Sequence, residues 1–179
     1  MSVIEKINCS NDVKELSRDE LELLCTELRK FEIDNIAKTG GHLASSLGAV
    51  ELIVAIHRVF DTGTDRLVFD VGHQCYVHKA LTGRQELFGT LRQFGGLSGF
   101  PKPKESEHDA FVAGHGTSHV SSAPGMARAR RMQTPTESEL APIGRGALTG
   151  GRGEWRPQKG KSGIGVRIRW RRKQEEKWC

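Results

Sequence analysis

Cysteine is scarce in this 179-residue chain: Cys9, Cys25, Cys75 and Cys179 stand far apart, and no two of them form a C-x-x-C pair. That scatter excludes a structural zinc knuckle and a disulfide framework and leaves reduced thiols as the simpler reading. Aromatic residues make up only 6%, with Tyr76 as the single tyrosine. No apolar run approaches the roughly 20 residues needed to cross a bilayer, so no membrane span is expected. Met1 to Glu15 holds Glu5, Asp12 and Glu15 and no apolar stretch. Neither a secretory signal nor an acidic-poor transit peptide has that composition, and a cytoplasmic protein is expected.

The length suits one domain with a sizeable core. Its net charge of +5 conceals an asymmetry: 13 Lys and Arg face 17 Asp and Glu up to Gly125, whereas 14 face 5 from Met126 onward. Trp155, Trp170 and Trp178 all fall in that second, basic part. Basic residues with interleaved aromatics suit a nucleic-acid arm. A solvated, poorly ordered tail explains the same composition more simply, so nucleic acid is not the expected partner.

Ser17 and Glu20 have the spacing of a capping box, and Leu21, Leu24, Cys25, Leu28, Phe31 and Ile36 follow at helical intervals up to Gly40-Gly41. A second, well-buried helix is expected from Ala44 to Phe60. Arg66 to Val71 reads as a parallel strand buried on both faces. Short helices are expected at Val77 to Leu81 and Gln85 to Arg92, around Gly83. A turn-rich loop (Gly95 to Pro101) and a polar run (Lys102 to Asp109) come next. Phe111 to Gly114 reads as a short strand. Ser121 to Arg131 has helical composition, with Pro124 expected either to lie in the first turn or to break the helix. This rhythm favours an α/β fold with a doubly wound, mostly parallel sheet and ligands at the carboxyl ends of its strands.

Two loops carry chemistry. Lys38-Thr39-Gly40-Gly41-His42-Leu43-Ala44-Ser45-Ser46-Leu47-Gly48 and Asp70-Val71-Gly72-His73-Gln74 each place a histidine directly after a glycine, beside a regular element. The glycine lets backbone come close to a ligand, and the imidazole can exchange protons or donate to it. Of the other histidines, His57 on an apolar helix face reads as packed, and His78 as orienting a helix start. His108 and Asp109 are adjacent and make a poor chelate.

Extended to Lys38 to Leu52 and Phe69 to Arg84, these blocks, with Thr90 to Pro101, Glu105 to Phe111 and Gly114-His115, resemble in order and spacing the N-terminal part of the 1-deoxy-D-xylulose-5-phosphate synthase family. Those are transketolase-like thiamine-diphosphate enzymes, and the likeness runs from Leu16 to Arg131. The resemblance implies a sheet of the thiamine-diphosphate-binding type, here incomplete, and a homodimer. It implies condensation of pyruvate with D-glyceraldehyde 3-phosphate, releasing CO2, for isoprenoid, thiamine and pyridoxal synthesis. It further implies that His42 assists proton transfer near the thiazolium, and that His73, Gly114, His115 and Gly116 contact thiamine diphosphate. Gly146 and Ala147 would then place N–H groups on its diphosphate.

The family's Gly-Asp-Gly-Ala motif, which helps to hold Mg2+, reads Gly144-Arg145-Gly146-Ala147 here. A cation cannot ligate Mg2+, so no metal ligand is assigned. Pro142 also falls in the strand expected before that motif, where a central strand disfavours proline. The expectation is therefore residues 1–131 as the N-terminal part of the cofactor domain. Residues 132–179 would be a divergent, poorly ordered basic tail carrying a motif remnant, from a coding frame disturbed after Arg131 and ended early. Such a fragment would be inactive alone. One subunit of a split transketolase-like enzyme and a non-catalytic module with a nucleic-acid-binding tail are the alternatives.

Overall fold

The computed structural model describes residues 2–114, 116, 119–133 and 140–143. Helix α1 (Arg18–Thr39) starts where the capping box places it: Ser17 Oγ accepts from Glu20 N, and the Glu20 carboxylate accepts from Ser17 N. It stops at Gly40, whose φ of 75° few other residues adopt and whose N–H closes onto Ile36 O at 2.8 Å. Leu24, Leu28, Glu32 and Ile36 recur once per turn and form its buried stripe.

The helix expected over Ala44 to Phe60 is instead two helices, α2 (Leu43–Leu47) and α3 (Val50–Val59). Gly48 is a poor helix former, and Ala49, at φ −113° and ψ 0°, leaves the helical path between them. In α3, Val50, Ile53, Val54 and His57 share one face and are buried against α1 and the core.

Strand β1 (Arg66–Phe69) is shorter than the run that predicts it, and its side chains alternate between two apolar layers. Leu67 and Phe69 join the main core with α1 and α3, while Val68 packs with Ala123, Phe111 and Met126 on the opposite face. A strand covered by helices on both faces is what parallel pairing requires. β1 does pair in parallel, with β2 (Leu140–Ile143), Arg66 opposite Leu140 and Phe69 opposite Ile143. Among the described residues the sheet has these two strands. Pro142, which a central strand would disfavour, stands in β2 opposite Val68.

After β1 the chain passes through a 3-10 turn (Gly72–Cys75) into the single helical turn α4 (Tyr76–Lys79). Thr82 and Gly83 (φ 78°) break the helical path, and a 3-10 segment (Gln85–Thr90) takes over. The N-terminal turns pack against this stretch, with the Gln85 side chain donating to Ile4 O and Ile7 O. Phe111 to Gly114 is not a strand: one bond, from Gly72 N to Gly114 O at 2.8 Å, joins it to the end of β1. Helix α5 (His119–Gln133) begins earlier than expected, which places Pro124 inside the helix beyond its first turn.

Candidate active site

The two glycine–histidine loops meet at the carboxyl end of β1. Beyond Phe69 the chain reaches Asp70, Gly72 and His73, all buried, and Gly72 is wedged against the 113–114 backbone. His42 enters from the other side, between the end of α1 and the start of α2, and is exposed. Their rings stack with centroids 3.7 Å apart and planes 26° from parallel. Phe100 closes the buried side of this stack, its centroid 4.6 Å from that of His73.

The stack borders a cleft of about 710 Å³ whose further wall is the loop from Arg92 to Lys102, with Glu105 behind it. Gly96 lets this loop fold onto Thr90, whose carbonyl oxygen would lie 2.2 Å from a Cβ there. Arg92 has φ 62°, alone among described non-glycine residues in the left-handed region, with its N–H on Leu97 O at 2.7 Å. Arg92 and Lys102 bring two cationic side chains to the cleft and none of the other lining residues but Glu105 is acidic, so its chemistry suits an anionic ligand.

Beneath the His42 loop lie two buried polar groups. The Tyr76 hydroxyl is 3.2 Å from where a Gly41 Cβ would stand. Burial raises its pKa, and the His42 backbone amide partly opposes that rise. Glu32 accepts from Ser46 Oγ at 2.5 Å through one oxygen, while the other has no hydrogen-bond partner among the described residues. Burial pushes its pKa up to about 7, against the weaker effects of Ser46 and Arg29. Cys75, next in the core, is pushed up to about 12 by burial and is an inert thiol at neutral pH.

A second layer of charge stands behind the cleft loop. Asp109 accepts two bonds from the Arg84 guanidinium, at 2.8 and 2.9 Å, and one from His78 Nε2 at 3.1 Å. Burial raises the Asp109 pKa, but these partners together outweigh it and hold the carboxyl well below its usual range. His78 Nδ1 lies 3.0 Å from His57 Nε2. Burial depresses the pKa of both rings, so this pair is neutral at physiological pH. His57 is thus packed, as its helix face indicates. His78 stands within the single turn α4, with both of its ring nitrogens engaged in the core.

The structure brings His42 and His73 together, with Gly114 and Gly116 beside the end of β1: Asp70 Oδ2 lies 4.0 Å from an ideal Gly116 Cβ. His115, Arg145, Gly146 and Ala147 lie outside the described residues, as does the 132–179 tail apart from Met132, Gln133 and β2. Sequence reasoning singled out neither Phe100, Arg92 nor Glu105 as site residues. The paired glycines before Leu97 are the available signal that this loop makes a tight approach.

A family model described as 1-deoxy-D-xylulose-5-phosphate synthase matches residues 4–154, so the likeness continues past Arg131. The synthase of Natranaerobius thermophilus is 58% identical over 149 residues, 83% of this chain and 24% of its own length. That of Clostridium acetobutylicum is 51% identical over 150 residues, 84% of this chain and 24% of the relative. Synthase 1 of Geobacter sulfurreducens is 50% identical, with the same coverage of both chains. The chain spans about a quarter of the length of these relatives. A cleft walled by glycine–histidine loops at the end of a parallel strand, in a sequence matched along most of its length, assigns this chain to the 1-deoxy-D-xylulose-5-phosphate synthase family.

Proposed function

We propose that residues 1–131 are the N-terminal part of a thiamine-diphosphate-binding domain serving condensation of pyruvate with D-glyceraldehyde 3-phosphate. In this reading β1 and β2 belong to a doubly wound, mostly parallel sheet of a cytoplasmic homodimer, and residues 132–179 are a basic segment that keeps the family likeness as far as residue 154. The observation that carries the reading is the His42–His73 stack over the cleft at the carboxyl end of β1. Open strand ends of this kind are where α/β folds bind ligands. His73 and the 114–116 backbone would hold the cofactor, and Gly146 and Ala147 would offer N–H groups to its diphosphate. His42, the exposed ring of the stack, would move protons at the reacting end. When bound, thiamine diphosphate supplies the carbanion stabilisation that decarboxylation needs.

The residues present fit the organic cofactor better than its metal. Histidine, glycine backbone and the cations Arg92 and Lys102 are suitable partners for a ring and a diphosphate. Arg145 has no lone pair for Mg2+, and it can meet the diphosphate only as a charge partner. Arg145 therefore makes this chain by itself inactive in the proposed reading. Calorimetric titration of the chain with thiamine diphosphate, with and without Mg2+, tests it. Weak binding indifferent to Mg2+ is expected, lost in His73→Ala, and Arg145→Asp restores metal dependence only in part. Tight binding by the unmodified chain only when Mg2+ is present would refute the Arg145 assignment. Absence of binding in both proteins under all conditions would refute the cofactor site.

A further inference from the structure

We propose that Glu105 is a positioning residue, one half of a buried charge clamp that sets the cleft loop and thereby the Phe100 wall of the His73 ring. The two carboxylates of the clamp each face two ways. Glu105 Oε1 accepts from Ser98 N at 2.8 Å, and its Oε2 accepts from Lys79 Nζ at 2.5 Å. Asp109 Oδ2 accepts from Lys102 N at 2.7 Å and from Arg84 Nη1 at 2.8 Å. The loop from Ser98 to Lys102 is thus held at both ends by carboxylates. Between those ends lies Phe100, whose N–H donates to Ser98 Oγ at 3.2 Å and whose ring meets His73.

The cations beneath come from the segment that follows His73. Lys79 is fully buried, with its ammonium also 3.8 Å from Asp109, and the Arg84 guanidinium lies 3.8 Å from Glu105. Two cations and two anions form one nearly neutral cluster, the arrangement that makes buried charge tolerable. Such a cluster is a poor way to add stability, since apolar residues of equal volume commonly do as well. Its distinguishing property is direction: charged acceptors fix backbone N–H groups more tightly than neutral ones do. Lys79 holds Glu105 in place, and Glu105 holds the loop. The clamp therefore couples the backbone after His73 to the wall facing it. The link to ligand binding rests on the cofactor reading above, but the clamp itself does not.

Amide hydrogen exchange of the full chain tests the clamp directly. In Glu105→Ala, exchange at the Ser98 amide is expected to accelerate about tenfold or more, the loss of one charge-assisted bond, with the α3 amides of Ile53 and Val54 unchanged. Glu105→Gln keeps one neutral acceptor for Ser98 N but turns its NH2 toward Lys79 Nζ, and its exchange is expected to fall between those of the unmodified chain and Glu105→Ala. The paired substitution Lys79→Met with Glu105→Leu keeps the volume and removes the charges. It is expected to retain the fold while releasing Ser98, and it decides the matter should Glu105→Ala not fold. Unchanged Ser98 protection in the folded paired variant would overturn the proposal. Parallel loosening of Ser98 and α3 would do the same, since it marks a purely structural role. Thiamine diphosphate binding is expected to weaken about tenfold in Glu105→Ala and to be rescued only in part in Glu105→Gln. If the unmodified chain binds no thiamine diphosphate, the cofactor reading fails and the exchange data still decide the clamp.

Discussion

Single residues at the end of β1 divide packing from chemistry, and the division can be measured at two glycines. An ideal Cβ on Gly72 would stand 2.0 Å from Ala113 O and 2.4 Å from Phe100 Cδ1, distances no real contact reaches. Gly114, its backbone partner, would direct a Cβ toward no described atom within 4 Å. Gly72→Ala is therefore expected to destabilise the chain by about 3 kcal/mol or more in urea unfolding, as overpacking against fixed backbone does. Gly114→Ala is expected to stay within about 0.5 kcal/mol while weakening thiamine diphosphate binding. Equal urea midpoints for the two variants would contradict this division. The sequence marks His42 and His73 because each follows a glycine in a loop. It cannot separate the two glycine roles, because what surrounds Gly72 comes from residues far along the chain.

At the scale of elements, legibility follows how local the determining interaction is. Helix α1 is readable because its cap is written within Ser17 to Glu20 and its end within Gly40. Ser17→Ala is accordingly expected to lower stability by about 1 kcal/mol, seen as a lower urea midpoint with an unchanged slope. An unaltered midpoint would mean that packing of Leu24, Leu28 and Ile36 alone sets that end. The break between α2 and α3 is less legible, because apolar residues continue through it and only Gly48 hints at the interruption. Least legible is the stretch from Lys102 to Asp109, which reads as a polar run. Glu105 and Asp109 turn inward there because Lys79 and Arg84, some 25 residues earlier, offer buried cations. A carboxylate is written alike whether it faces water or a buried lysine. The same limit applies to His78, whose partners His57 and Asp109 lie on other elements.

Over the whole molecule these buried groups oppose one another in pH, and the opposition gives the fold a signature. Glu32 titrates near 7 in the folded chain against an ordinary 4.5 because it is buried. Its contribution to stability is thus complete below about pH 4.5 and is lost as pH rises through about 7. His57 and His78 act in the other sense. Burial lowers their pKa values below 6.5, so stability falls as the unfolded chain takes up protons on the acid side of that value. Asp109, held low, adds its own loss only as pH drops below its ordinary 3.8. Between pH 4.5 and 6.5 the proton held by folded Glu32 opposes the protons that the two histidines take up in the unfolded chain. Removing Glu32 therefore steepens the loss of stability toward acid pH. Glu32→Gln is therefore expected to be more stable than the unmodified chain at pH 8, by on the order of 3 kcal/mol, and to lose that advantage steadily toward pH 4.5. Urea unfolding of both proteins across this range measures the difference. Parallel stability curves would show that the ionised Glu32 carboxylate costs the fold nothing, and that the pocket under the His42 loop admits water enough to solvate it.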